Sequence, residues 1–437
     1  MKKWPIVGIL GISLFAICLG GIVAFVPVVR QLFSGDIQWN LLSVKNFSAD
    51  AVEELRAPVD GPAELKINTP FGKVDVAAEE GTGEVFISAH KYAWGINPQG
   101  AEDLLQKIKI VVDQNGNSVN VYVDQPVEVD ILHIGPAGIS VDFTVRVPVE
   151  CAVDASSSSG DIRVEGTTGT AVLHSSFGKV SAEKIRGDVT ATTSSGDVTL
   201  MDVSAGDGSV DAVSSFGEVL VQSAQGGILK AKSSSGEVTV KESEFTGRAD
   251  LSTSFGDISA SGVKARALDA RTNSGKVVLQ SLEIGDDLTA HSDFGDVQVK
   301  ASSAQSYDLD TNSGKITADD TSGRVKARSG FGDINIRGAG VILDLSTSSG
   351  SIEFHGSLGD GASTLRTNFG DIRIYLPENA EFDVDLSTDF GSIECSFAVT
   401  STSHESTHLV GRVGAGGPML KASTNSGSVR VQPQPAE

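Results

Sequence analysis

Cysteine, tryptophan and runs of basic residues are what this sequence has least of. Its three cysteines, at Cys18, Cys151 and Cys395, cannot form the disulfide framework of a small secreted scaffold. Cys18 lies in an apolar N-terminal run, and the other two stand at opposite ends of a repeat array, so they are expected to be single buried thiols. Lys and Arg total 34 against 56 Asp and Glu, a net charge of -22, with no basic cluster. A nucleic-acid partner is therefore excluded, and adsorption to anionic lipid is disfavoured. No Ser-His-Asp arrangement, phosphate loop or activated cysteine is recognisable. Tryptophan is absent from the repeats and tyrosine is sparse, which argues against the aromatic-lined groove of a sugar-cleaving β-helix.

What the chain has instead is glycine, 49 residues of it, and one phrase that keeps returning. Ser158-Ser159-Gly160-Asp161-Ile162 sets the pattern: Ser-Ser-Gly or Ser-Phe-Gly, a charged residue, then Ile or Val. The glycine recurs at Gly178, Gly196, Gly217, Gly236, Gly256, Gly275, Gly295, Gly314, Gly332, Gly350, Gly370 and Gly391, at intervals of 18 to 21 residues. Short alternating segments flank it, as in Ala249-Asp250-Leu251-Ser252-Thr253 and Asp257-Ile258-Ser259-Ala260, with a second turn at Ser261-Gly262. Period-2 alternation means strands, and self-similarity at this period with no helix between means a stack in which no unit can bury its apolar face alone. The fold class is thus all-β, a single-stranded β-solenoid of about 13–15 short coils. Glycine is expected at each corner for its freedom to bend, and the serines to bond turn backbone.

The residue before the glycine alternates Ser, Phe, Ser, Phe from Gly160 to Gly370. Two arrangements follow. Either one unit makes a coil and Phe lies over Ser, or two units make a coil and Phe stacks on Phe. The residue after the glycine favours the first: Asp257, Lys276, Asp296, Lys315 and Asp333 then place opposite charges on neighbouring coils, whereas the second would line up Asp257, Asp296 and Asp333 as a bare acidic row.

Outside the array, residues 5–29 carry no charge and are long enough to span a bilayer. Lys2 and Lys3 precede them and acidic residues follow, which places residues 1–4 in the cytoplasm and exports the rest behind a signal anchor at the cell membrane. A cleaved signal peptide is the alternative. The lipid bilayer is accordingly one expected partner, through residues 5–29. Residues 30–59 read as a linker, 60–150 as an N-terminal cap of strands with a helix over Ala101–Ile108, 151–431 as the solenoid, with one degenerate unit between Cys395 and Pro418, and 432–437 as a disordered tail. The cap holds the one aromatic cluster, around Tyr92 and Trp94, which is either a strand end in the core or a recognition loop.

Two motifs invite metal chemistry. His404-Glu405-Ser406-Thr407-His408 matches the zinc-protease pattern, but that chemistry needs both histidines on one helical face, and Thr, Ser, Val and Gly surround it. The Gly-Asp pairs suggest calcium, but Lys179, Lys276 and Lys315 occupy the same position as the aspartates. No metal, cofactor or catalytic residue is assigned.

The serial Ser-Ser-Gly-Asp and Phe-Gly-Asp phrases, with Val147-Pro148 and Val153 ahead of them, resemble a bacterial cell-envelope family, a domain of unknown function described as a putative adhesin with β-strand repeats. The resemblance covers residues 60 to 431 and implies a β-solenoid displayed on an envelope, often behind one membrane anchor, with no catalytic residues to carry over. The expected role is structural or adhesive, with an envelope protein or a glycan as partner. An envelope-stress accessory protein comes second and a glycan-active enzyme third.

Overall fold

Parallel strands from one short coil after another form a single stack in this computed structural model, which describes residues 47–124 and 138–435. The expected membrane span, residues 5–29, lies outside the described residues. No helix among the described residues is long and apolar enough to cross a membrane.

The cap begins earlier than the sequence suggests. Residues 47–58, inside the expected linker, form strand β1 (Phe47–Pro58), followed by β2 (Ala63–Phe71), β3 (Val74–Glu79), β4 (Glu84–Gly95), a helix α1 (Pro98–Lys107), β5 (Lys109–Asn115), β6 (Ser118–Asp124) and β7 (Gly138–Pro148). The helix starts three residues before the expected Ala101 because Asn97 caps it, its side chain accepting from the Gly100 N–H at 2.7 Å, with Pro98 in the first turn. β2 and β3 already form a coil, parallel to β8 (Cys151–Ser159) and β9 (Ile162–Glu165). On its outer side β6 and β7 continue the stack, and the pairing then turns antiparallel, β5 on β6 and β4 on β7 with β1 beyond. The switch ends the run of parallel pairing before it reaches an open edge.

From β8 onward each coil is two strands and a short third side. Ala155 pairs with Leu173, Leu173 with Ala191, and the same column continues through Leu251 and Leu309 to Leu365. Eleven such steps carry β8 to Ser363–Phe369, about eleven regular turns, with the coil of β2 and β3 before them and the levels beyond Ser363–Phe369 after. A second column holds a β-branched residue at every level, Ile162, Val180, Val198 and onward to Ile372, none more than 1% exposed.

One repeat makes one coil. Gly256 lies between Gly236 and Gly275, so Phe255 neighbours Ser274 and not Phe294. The second corner is a left-handed residue, and here glycine is the minority choice: Lys184, Asp202, Ser223, Glu242, Ser281, Ala301 and Asp320 all have φ between 47° and 61°, while Gly166 and Gly262 hold the same place.

The C-terminal end departs from chain order. Met419–Ser426 pairs with Ser363–Phe369 on one side and with Phe382–Phe390 on the other, so the last repeat is inserted between its two predecessors. The irregular stretch before it is not a degenerate coil but a hairpin, Val399–Glu405 with His408–Val413, lying antiparallel on Phe382–Phe390. The parallel stack thus ends at both extremes in antiparallel pairing. The tail expected to be disordered from residue 432 continues the strand Val429–Pro433, and the Gln434 N–H donates to Leu376 O at 2.8 Å.

Candidate functional site

Every repeat glycine named from the sequence falls in one column at one corner of the stack. Freedom to bend is not what most of them supply, since only Gly72, Gly370 and Gly427 of this column have the left-handed φ that favours glycine. Close approach is the reason. A Cβ on Gly256 would lie 2.5 Å from the Gly236 carbonyl carbon and 2.9 Å from the Glu237 nitrogen, and closer still to the Gly236 oxygen; the neighbouring levels repeat this. Gly391 meets Gly427 in the same way, and Gly427 meets Gly370, so the inserted repeat keeps the register.

The carbonyl that glycine approaches is bound by a buried hydroxyl. Three residues before each glycine stands a Ser or Thr whose Oγ points inward and donates to the glycine oxygen of the adjacent coil: Ser175 to Gly160 at 2.9 Å, Thr193 to Gly178 at 2.8 Å, Thr272 to Gly256 at 2.8 Å, Thr311 to Gly295 at 2.9 Å. At several levels the hydroxyl also accepts from its own glycine N–H, as in Gly217 to Ser214 at 2.9 Å. In the sequence this position ends a strand, as Thr253 does, and the serines expected to bond backbone are those of the turn that follows. The signal for the inward hydroxyl was the alternation itself, which places the third residue before glycine on the inward face.

The charge after the glycine also works differently from expectation. Among the described residues Asp257 and Lys276 form no ion pair, nor do Asp296 and Lys315. Instead the aspartate Oδ1 accepts from the backbone N–H of the next coil: Asp161 from Lys179 at 2.9 Å, Asp257 from Lys276 at 2.8 Å, Asp333 from Ser351 at 2.8 Å. Cross-coil ion pairs lie on the flat faces instead, such as Arg266–Asp286 at 2.8 Å, Lys264–Glu283 at 2.9 Å and Lys326–Asp308 at 2.7 Å. A shallow groove of about 340 Å³ beside His291, Asp308 and Asp310 is lined by groups already satisfied this way, His291 Nδ1 lying 2.9 Å from Asp310.

What remains unsatisfied at the corner is aromatic. The phenylalanines before the glycines were expected to pack; they stand in solvent. Phe177, Phe216, Phe255, Phe294, Phe331, Phe369 and Phe390 are 64% to 78% exposed, and Phe71 49%. Their backbone is fixed by the adjacent coil, Phe255 N donating to Ser234 O at 3.2 Å and Phe331 N to Asn312 O at 3.1 Å. Between them stand Ser159, Ser195, Ser235, Ser274, Ser313 and Ser349, exposed or half-exposed. In chain order Phe369 and Phe390 break the alternation, but Ser426 lies between them in space and restores it. One edge of the stack therefore carries phenylalanine at every second coil, about 9.6 Å apart at the usual strand spacing. Single exposed apolar residues are ordinary; a file of them along one edge is not.

The repeated phrase and its place in the stack decide the relationship. The Toastrack DUF4097 family model matches residues 66–283 and 252–432. The chain belongs to the Toastrack family. No curated protein matches it. Among solved structures, a putative cell adhesion protein from Clostridium sporogenes ATCC 15579 is 7% identical, covering 88% of this chain and 100% of that one, with a TM-score of 0.15. A putative adhesin from Bacteroides fragilis NCTC 9343 is 10% identical over 88% and 97%, at a TM-score of 0.25. Another from Parabacteroides distasonis ATCC 8503 is 14% identical over 72% and 97%, at 0.24. Superpositions this loose leave the family match as the firm relationship.

Other residues singled out from the sequence stand apart from this edge. Tyr92 and Trp94 are half-buried on strand β4, not on a loop. The Tyr92 hydroxyl and His90 Nδ1 are 2.7 Å apart, and burial, then Asp142 and Asp50, push the Tyr92 phenol above its ordinary value. Trp94 faces Gly138 across the β4–β7 pair, where a Cβ would meet its ring. His404 and His408 lie on the two strands of the C-terminal hairpin, so the i, i+4 helical geometry of a zinc protease is absent; His408 Nε2 sits 3.0 Å from Asp385 Oδ1. Cys151 is fully buried and burial raises its thiol to about 11, while Cys395 is half-buried and raised for the same reason. Cys18 lies outside the described residues.

Proposed function

We propose that this Toastrack protein is a membrane-anchored, extracytoplasmic binding rod: a stack held at the cell surface through residues 5–29 that engages a partner along its side without chemistry of its own. The observation that carries this reading is the phenylalanine edge. Leaving a large aromatic in water at level after level forgoes about 1.5–3 kcal/mol of burial at each. The same corner accepts serine at the intervening levels, so the fold itself does not demand phenylalanine there. A partner that covers the side chains is the physical reason to keep them. The rest of the surface favours binding over catalysis, because among the described residues the acids and bases are spread along the faces in pairs within and across coils.

The test is capture by the full chain, in detergent, from an array of envelope proteins and purified glycans. The reading expects a signal that weakens when Phe216, Phe255 and Phe294 are each changed to Ser. Tyr92→Ala with Trp94→Ala should leave it intact; loss there instead would move the surface to the cap.

A further inference from the structure

The period of the edge narrows the class of partner, building on the proposal that this edge binds. We infer that it takes a linear β-1,4-linked glycan, with one phenylalanine under every second sugar ring. Three observations point there.

The first is spacing. Successive coils are about 4.8 Å apart, and a β-1,4-linked pyranose chain advances by nearly that distance per ring. Because alternate rings of such a chain are turned over, the same face of the sugar returns only at every second ring. The phenylalanines return at every second coil. The match is one of period and persists across the sequence-order break at Phe369, Ser426 and Phe390, where the inserted repeat maintains it.

The second is chemistry. A pyranose ring offers an apolar face of C–H groups and an equatorial rim of hydroxyls. The edge offers an aromatic platform at one level and an exposed serine hydroxyl at the next, with Asp257 and Asp296 exposed alongside as acceptors for sugar hydroxyls. The tryptophan and tyrosine count, which argued against a sugar groove, did not register this row because its aromatics are all phenylalanine.

The third is charge. With 56 acidic against 34 basic residues the chain repels an anionic lipid surface, and two copies repel each other. A neutral, hydroxyl-rich polymer meets neither penalty.

The experiment measures binding of the full chain, in detergent, to cello- and chito-oligosaccharides of four and six rings by calorimetry, with maltohexaose as the α-linked comparison. Each added aromatic platform should tighten binding roughly three- to tenfold, so six rings should bind better than four by that factor, with maltohexaose weaker than either. The triple variant Phe216→Ser, Phe255→Ser, Phe294→Ser should lose the length dependence. It should fold, since serine already occupies this corner at alternate levels, and an unchanged unfolding midpoint checks that. Absence of β-linked oligosaccharide binding at millimolar concentration overturns the inference, as does binding that the triple variant retains. Capture of an envelope protein through the same phenylalanines, self-association that the triple variant abolishes, or binding to neutral phosphatidylcholine vesicles would also overturn it. The first of these would leave the broader proposal of a binding edge standing, whereas a full array with no phenylalanine-dependent signal removes both.

Discussion

Gly256→Ala tests why the corner is glycine. The added Cβ would sit 2.5 Å from the Gly236 carbonyl carbon, against about 3.5 Å for an ordinary carbon contact, so the two coils must part by roughly 1 Å. Both neighbours are backbone and cannot rotate away. Overpacking of this kind costs about 1–3 kcal/mol. Parting the coils also lengthens the Thr253 Oγ1 bond to Gly236 O, now 2.9 Å, and the Phe255 N bond to Ser234 O, now 3.2 Å, for about 1 kcal/mol more. The expected loss is about 3 kcal/mol. At a urea dependence of about 2 kcal/mol per molar, the midpoint falls by about 1.5 M, read by circular dichroism on the full chain. Gly285→Ala is the control, because its nearest neighbour would be an ordinary 3.5 Å away and its φ is not left-handed. That variant should stay within about 0.5 kcal/mol of the parent. Equal midpoints for the two variants would refute the close-approach argument.

Other outcomes follow from the same corner and its neighbours. Thr272→Val keeps the shape but removes the hydroxyl that donates to Gly256 O at 2.8 Å and accepts from Gly275 N at 3.2 Å; unfolding should show a loss of about 1–3 kcal/mol that Thr272→Ser restores. Ala301→Gly relieves a left-handed alanine, φ 48°, and should stabilise by up to about 1 kcal/mol after the flexibility of glycine in the unfolded chain is counted. With Cys18 and Cys395 changed to Ser, the native Cys151 thiol, at about 11, should hold roughly 100-fold less thiolate at pH 8 than an ordinary cysteine and resist aromatic disulfide reagents until urea unfolds the chain. Its folded value lies above the unfolded one, so its contribution to stability is full below pH 9.0 and fades as pH rises toward about 11.

Much of the fold was legible because repetition multiplies a weak signal. One Ser-Phe-Gly-Asp says little, but at intervals of 18 to 21 residues it fixes a coil, and the alternation of Asp257, Lys276, Asp296 and Lys315 pointed to one repeat per coil. That choice was right for an incomplete reason, since the aspartates cap backbone N–H groups of the next coil instead of pairing with lysine. The alternation already places Thr272 and Thr311 inward, but the carbonyl each one meets, Gly256 O and Gly295 O, belongs to the adjacent coil and appears only once the coils are stacked. The insertion of the last repeat was hidden because chain neighbours are assumed to be space neighbours. One clue did exist, for two phenylalanines in succession, Phe369 and Phe390, broke a pattern that Ser426 could mend. The exposure of the phenylalanine edge was missed for a related reason. The sequence places Phe255 in a turn with Ser254 and Gly256 but does not say which way its side chain points, and the corner turns it into solvent.

Phenylalanine returns at every second coil, and disulfide mapping measures that directly. Phe255→Cys with Ser274→Cys places two cysteines on adjacent coils, about 4.8 Å apart at Cα, within bonding reach; Phe255→Cys with Phe294→Cys places them about 9.6 Å apart, beyond it. Under mild oxidation of the full chain, peptide mass mapping should find the first pair bridged and the second free. A bridge in the second pair and none in the first would mean that phenylalanine stacks on phenylalanine, and both the coil and the phenylalanine edge would have to be redrawn.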